Sequence, residues 1–206
     1  MNFFVRSAWL IMACALLSLP ASAQLNQETH NPNSPIMGGA EHHAPKYPKA
    51  PGPGLTPAEM QFLKNAAQGG KAEVELGKLA TEKAANPEVK EFGRRMVGDH
   101  SKVNADLKAL AEKLGVPLPS DLTSSARAAR QRLSQLSGQQ FDAQYIQTML
   151  KDHNHAVAAF KKEAYDAKNQ EVKTFAGEYL PILLDHLHQA QNIAGKLGIK
   201  ASQGSE

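Results

Sequence analysis

The chain has a single cysteine, Cys14, and it lies in the apolar segment that opens the sequence. That segment starts with Met1-Asn2-Phe3-Phe4-Val5-Arg6, runs through an apolar stretch from Ala8 to Leu19, and ends in Pro20-Ala21-Ser22-Ala23 ahead of Gln24. A positive start, an apolar stretch too short to span a bilayer and a small-x-small site mark a secretory signal peptide. Residues 1–23 are therefore expected to be removed, leaving a periplasmic or secreted chain from Gln24. Cys14 sits too early, and Met12 fits too poorly, for a lipidation site. Loss of Cys14 excludes disulfides and thiol chemistry in an oxidising compartment, so stability must come from a packed core.

Other absences narrow the function further. No later apolar run approaches the roughly 20 residues of a membrane span. The formal charge is +3, or +2 without Arg6, and lysines alternate with acids along the chain. With no basic stripe, nucleic acid is excluded as a partner. Strand-like alternation is missing throughout. So are G-x-S-x-G, a P-loop, C-x-x-C and a dinucleotide fingerprint. No nucleophile–base pairing follows, and the sequence leans away from an enzyme.

Residues 24–54 hold Pro32, Pro35, Pro45, Pro48, Pro51 and Pro53 with several glycines and few large apolar side chains. Such a stretch cannot offset its ordering entropy and reads as an extended arm. It carries His30, Met37, His42 and His43, which fit an inert tether better than a metal-collecting segment.

From Leu55 the periodicity is helical, giving an all-α domain over residues 55–200 and a polar tail at 201–206. Thr56-Pro57-Ala58-Glu59 is a capping box with proline at the first helical position, so helix A runs from Pro57 to about Ala85. Asn86-Pro87-Glu88 opens helix B, which continues to Leu114 and stops at Gly115. A short helix is expected near Ser124–Leu136, then helix C from about Gln139 to Ala167 and helix D from Gln170 to Leu197. Tight A–B and C–D junctions with a long B–C connection make two antiparallel hairpins joined by a crossover. That is the ferritin-like form of the antiparallel four-helix bundle; a simple up-down-up-down bundle is the alternative.

Three of the seven aspartates are followed by histidine: Asp99-His100, Asp152-His153 and Asp185-His186. Chance would place roughly 0.3 such pairs here given the frequency of histidine. His100 fills the slot between Met96 and Val103 in the apolar stripe of helix B, His153 the gap between Met149 and Ala156 in helix C, and His186 that between Leu183 and Ala190 in helix D. Helix A contributes Phe62, Ala66, Gly69, Glu73, Leu76 and Ala80, with Glu73 the polar interruption. Glu73 lies 13 residues before Asn86 and His100 lies 14 after it; His153 lies 16 before Asn169 and His186 lies 17 after it. At about 1.5 Å per residue, both pairs fall near the middle of helices roughly 42 Å long.

One glutamate and three imidazoles at one level suit a single divalent transition metal ion: zinc, iron or copper. A neutral hydrogen-bond network that only fixes helix register is the competing reading, and it would make the chain a non-enzymatic envelope structural or interaction protein. Asp99, Asp152 and Asp185 lie about 100° from their histidines, at helix seams where a carboxylate can accept a ring N–H from a neighbouring helix. Met96 and Met149 precede His100 and His153 by one turn; as ligands they would favour copper(I), although core filling is the commoner role. His155 and His188 fall on solvated faces. Gly69-Gly70, Gly77 and Gly93 imply a close approach of helices A and B, and Pro181 should kink helix D. The metal, the biological process, and any homo-oligomer or envelope partner stay open.

Asn65-Ala66-Ala67-Gln68-Gly69-Gly70, Glu73–Leu79, Phe92 through Met96-Val97-Gly98-Asp99-His100, Leu114-Gly115-Val116-Pro117-Leu118-Pro119, Ser137-Gly138 with Phe141-Asp142, and Phe175-Ala176 through Leu180-Pro181-Ile182-Leu183 with His186 together resemble the exported bacterial family catalogued as domain of unknown function 4142. The resemblance covers about residues 58–197. It implies a ferritin-like helical bundle in a bacterial envelope and supplies no activity. Di-iron sites in such bundles use Glu-x-x-His pairs. Here the residues three before the core histidines are Val97, Leu150 and Leu183, so a dinuclear ferroxidase lacks its bridging ligands.

Overall fold

A computed structural model describes residues 54–199. The expected signal peptide, almost all of the arm and the polar tail lie outside the described residues. The described chain is all-α, with five helices and no strand: α1 (Pro57–Lys83), α2 (Pro87–Leu114), α3 (Ser124–Ser134), α4 (Gly138–Asp166) and α5 (Gln170–Lys196). None of these helices is long and apolar enough to cross a membrane.

Most of the caps are local chemistry. Thr56 Oγ1 accepts from the Glu59 backbone N–H at 3.2 Å while Glu59 Oε2 accepts from the Thr56 N–H at 2.7 Å. Asn86 Oδ1 accepts from the N–H groups of Glu88 and Val89, and Asn169 Oδ1 from those of Glu171 and Val172. These bonds satisfy donors that the helices leave unpaired. Gly115 ends α2 at φ 71°, a left-handed position that a side chain would strain. α1 stops at Lys83, two residues short of the expected end, because Ala84 is already extended.

α1 packs on α2 and α4 on α5; α1 also meets α4, and α2 meets α5. The apolar core falls into two clusters. One gathers Leu76, Ala80, Phe92 and Met96 with Phe141, Tyr145, Ile146, Met149 and Ile193. The other gathers Phe62, Leu63, Val103 and Leu107 with Phe160, Val172, Phe175, Tyr179 and Leu183. The end of α2 lies with the second cluster and the start of α4 with the first, so residues 115–137 carry the chain from one cluster to the other. Within that segment α3 lies against α1 and α4.

Each turn is tied to the opposite helix pair by a buried carboxylate. Asp142 on α4 accepts from the backbone N–H groups of Ala85 and Asn86 at 3.1 and 2.9 Å. Glu59 on α1 accepts from those of Lys168 and Asn169 at 2.7 and 2.8 Å. Burial would raise the Glu59 pKa, but the N–H groups of Asn169, Thr56 and Lys168 and the Thr56 hydroxyl hold it below the usual carboxylate range. The relative height of the two helix pairs is thus fixed by charge-assisted bonds at both turns.

The expected close approach of α1 and α2 occurs at Gly77 and Gly93. A β-carbon on Gly93 would lie 2.6 Å from that of Ala80, and one on Gly77 would lie 2.8 Å from the Gly93 carbonyl oxygen. Gly69 departs from the expected stripe: it is exposed, with open space around it, and Leu63, Ala67 and Gly70 take the inward positions. α5 continues as helix through Pro181.

Candidate functional site

The two apolar clusters are separated by a polar layer. Glu73 lies between Ala67 and Leu76 on α1, His100 between Met96 and Val103 on α2, His153 between Met149 and Phe160 on α4, and His186 between Leu183 and Ala190 on α5. All four are buried, with His100, His153 and His186 retaining 5%, 1% and 0% of their surface.

The three imidazoles converge. Their ring centroids are 5.4 to 5.7 Å apart, and one ring nitrogen from each lies within 4.8 Å of the other two. His153 Nδ1 is 3.0 Å from the Met149 carbonyl oxygen. A carbonyl only accepts, so Nδ1 carries the proton and Nε2 is left with a lone pair. His186 Nε2 is 2.8 Å from Asp99 Oδ2, which by the same argument protonates Nε2 and leaves the lone pair on Nδ1. The nitrogens these partners leave over, His153 Nε2 and His186 Nδ1, are buried without a hydrogen-bond partner, as is His100 Nε2. An unpartnered buried polar atom costs about 1–3 kcal/mol, so three around one point are an expensive arrangement unless something binds there.

Electrostatics keep the layer uncharged. Burial, then the neighbouring rings of His153 and His186, push the His100 pKa down to about 3. Burial and His186 push that of His153 down to about 4. Burial also lowers His186, against the opposing pull of Asp99. Neutral imidazole is the ligating form.

The three aspartates have different fates. Asp99 accepts the His186 ring proton from the neighbouring helix, and Arg95 Nε donates to the same Oδ2 at 3.1 Å. Asp185 turns outward and pairs with the other end of Arg95 at 2.6 Å. Asp152 accepts no hydrogen bond from an imidazole; it is half-buried on a groove wall, where burial raises its pKa. Arg95, invisible as a site residue in the sequence, therefore links two of the three pairs. Its (i, i+4) spacing to Asp99 was a readable signal, whereas its reach to Asp185 depends on helix packing.

Glu73 stands apart from the three converging nitrogens. Its Oε1 is 3.9 Å from His153 Nδ1, the nitrogen turned toward the Met149 carbonyl, and its Oε2 is buried without a partner. Burial, and then the charge of Asp152, raise its pKa well above the usual carboxylate range. Tyr145, whose hydroxyl is also buried and unpartnered, has its pKa raised by burial and by the charge of Glu73. Met96 and Met149 are fully buried in the first apolar cluster. Met149 serves His153 through its backbone carbonyl. His155 and His188 are exposed.

A cavity of about 970 Å³ opens between α1, α3 and α4 and is lined at depth by Glu73, His100 and His153. It connects the polar layer with solvent on the α1–α4 side.

Among solved structures, the fold is similar to a fragment of a DUF305 protein from Deinococcus radiodurans, with a TM-score of 0.62 and 21% identity over 70% of this chain and 99% of that one. It is also similar to a putative secreted DUF305 protein from Streptomyces coelicolor, with a TM-score of 0.62 and 15% identity over 72% of this chain and 98% of the other. At these identities the likeness concerns the fold alone. No curated protein matches the sequence. The family match spans residues 44–193, and the chain belongs to the family described as Domain of unknown function (DUF4142).

Proposed function

We propose that His100, His153 and His186 hold one divalent transition metal ion inside a ferritin-like four-helix bundle, and that the protein serves metal handling or stress protection in the bacterial envelope after cleavage of its signal peptide. The observation that carries this reading is the set of unpartnered buried nitrogens on three converging rings, two of them fixed in tautomer by Met149 and Asp99. A ligating histidine ordinarily donates its other ring N–H to a carbonyl or carboxylate, as His153 and His186 do. Metal–nitrogen bonds of about 2.0–2.1 Å place ligand nitrogens roughly 3.4 Å apart, so binding would draw the rings inward by about 1 Å. Three neutral nitrogens fit zinc, iron(II) and copper, and among the described residues the converging group holds no carboxylate to bridge two ions, which disfavours a dinuclear iron site.

One observation favours a structural layer instead. A spread of 4.8 Å also fits three imidazoles bonded to one shared water, at about 2.8 Å each. Protein purified without chelator, followed by elemental analysis and titration with zinc, iron and copper, separates the two readings. The metal reading requires one equivalent bound, lost in His100→Ala combined with His153→Ala. Absence of stoichiometric metal, with the histidine substitutions changing stability alone, supports the structural layer.

A further inference from the structure

The ligand nitrogens are buried, so an ion must reach them through the protein. The α1–α3–α4 groove is lined at depth by His100 and His153, while His186 lies beyond it. Its wall carries Glu73 on α1, 94% buried by its 6% exposure and with Oε2 unpartnered, and Asp152 on α4, next in sequence to His153. Resting on the metal reading above, we propose that this groove is the path by which a divalent cation enters, and that Glu73 and Asp152 form a weaker transit site one step before the three imidazoles.

Four observations support this. Glu73 Oε1 approaches His153 on its Nδ1 side, 3.9 Å away, so Glu73 stands beside the ion's seat and is placed to hand a cation on rather than to hold it. Two hard carboxylate oxygens bind a divalent ion more loosely than three imidazoles do, which gives the path a downhill direction. Gly69, with nothing within 4 Å of its would-be β-carbon, keeps the α1 wall low along the groove. Lys151, Lys162 and Arg132 also line the groove, but all three are exposed and can extend their charge into water, whereas the carboxyl groups of Glu73, Glu163 and Asp152 are buried or half-buried along it.

The test is rapid mixing of the full-length mature protein with cobalt(II), followed by visible absorbance, with release measured by competition with a chelator. Gly69→Phe places a ring on the groove wall from a position where an added β-carbon meets nothing within 4 Å. Ala159→Trp does the same from exposed α4, should the first variant fail to fold by circular dichroism. A plug slows loading and release together, each by tenfold or more, with stoichiometry and affinity unchanged. Glu73→Gln slows loading several-fold and still binds one equivalent. Plugged variants with wild-type loading rates would overturn the path, and loss of the bound equivalent in Glu73→Gln would make Glu73 a permanent ligand and overturn the transit site. No cobalt binding by the wild type ends the metal reading itself and this proposal with it, whereas normal binding with unaltered rates ends this proposal alone.

Discussion

Acidification should destabilise the metal-free protein in a window where few other groups titrate. His100 and His153 carry folded-state pKa values of about 3 and about 4. In the unfolded chain both return to about 6.5. Below that value the unfolded state binds protons that the folded state refuses, so stability present above pH 6.5 is lost as pH falls toward the folded values. Each group approaches a slope of about 1.4 kcal/mol per pH unit, and together they remove about 4 kcal/mol between pH 7 and pH 5. Both are at least nine-tenths buried, so solvent screening does not reduce the effect. The depressed pKa of His186 acts in the same direction.

Glu73 opposes it. Its raised pKa lets the folded state bind a proton before the unfolded state does, which favours the fold on acidification over the same interval. Wild type should therefore lose less stability between pH 7 and pH 5 than Glu73→Gln, which should lose about 4 kcal/mol. Urea unfolding in the presence of a chelator, at half-unit pH steps, measures both. Stability in Glu73→Gln that is flat or rises from pH 7 to pH 5 would refute the placement of the two histidines as neutral buried groups.

Three further outcomes follow from the same geometry. Asp99→Asn removes the carboxylate that fixes the His186 tautomer and should weaken metal affinity by about 10–100-fold in isothermal titration, with Arg95→Met giving a smaller loss in the same direction. Asp142→Ala leaves the Ala85 and Asn86 N–H groups without their partner and should cost about 3 kcal/mol in urea unfolding, and Glu59→Ala a similar amount at the other turn. Metal at about 100 times its dissociation constant should stabilise the fold by roughly 2.7 kcal/mol, seen as a concentration-dependent rise in Tm that the His100→Ala variant lacks.

Much of this arrangement was legible in the sequence because it is local. Thr56-Pro57, Asn86-Pro87, Asn169 and Gly115 set helix ends by chemistry within three residues. Counting from the two short turns was enough to bring His100, His153 and His186 to one level. What the sequence withheld depends on helix rotation and on contacts between distant residues. Glu73 was expected among the ligands, yet it borders His153 from the groove side. Three similar Asp-His dipeptides end in three environments: Asp99 against the imidazole of another pair, Asp185 against Arg95 at the surface, and Asp152 along the groove. Glu59 reads as a capping residue, but its second role is 110 positions away at Asn169, and no periodicity encodes such a contact. Gly69 and Gly70 show the finest limit: one residue of rotation separates an exposed position from a buried one.

X-ray absorption at the zinc edge of the zinc-loaded protein tests the central claim most directly. Three imidazole ligands predict a first shell near 2.0–2.1 Å with the outer-shell scattering of about three histidine rings, and loss of one ring's contribution in His153→Ala. A first shell of oxygen without imidazole scattering, or a spectrum unchanged by removing His153, would contradict it.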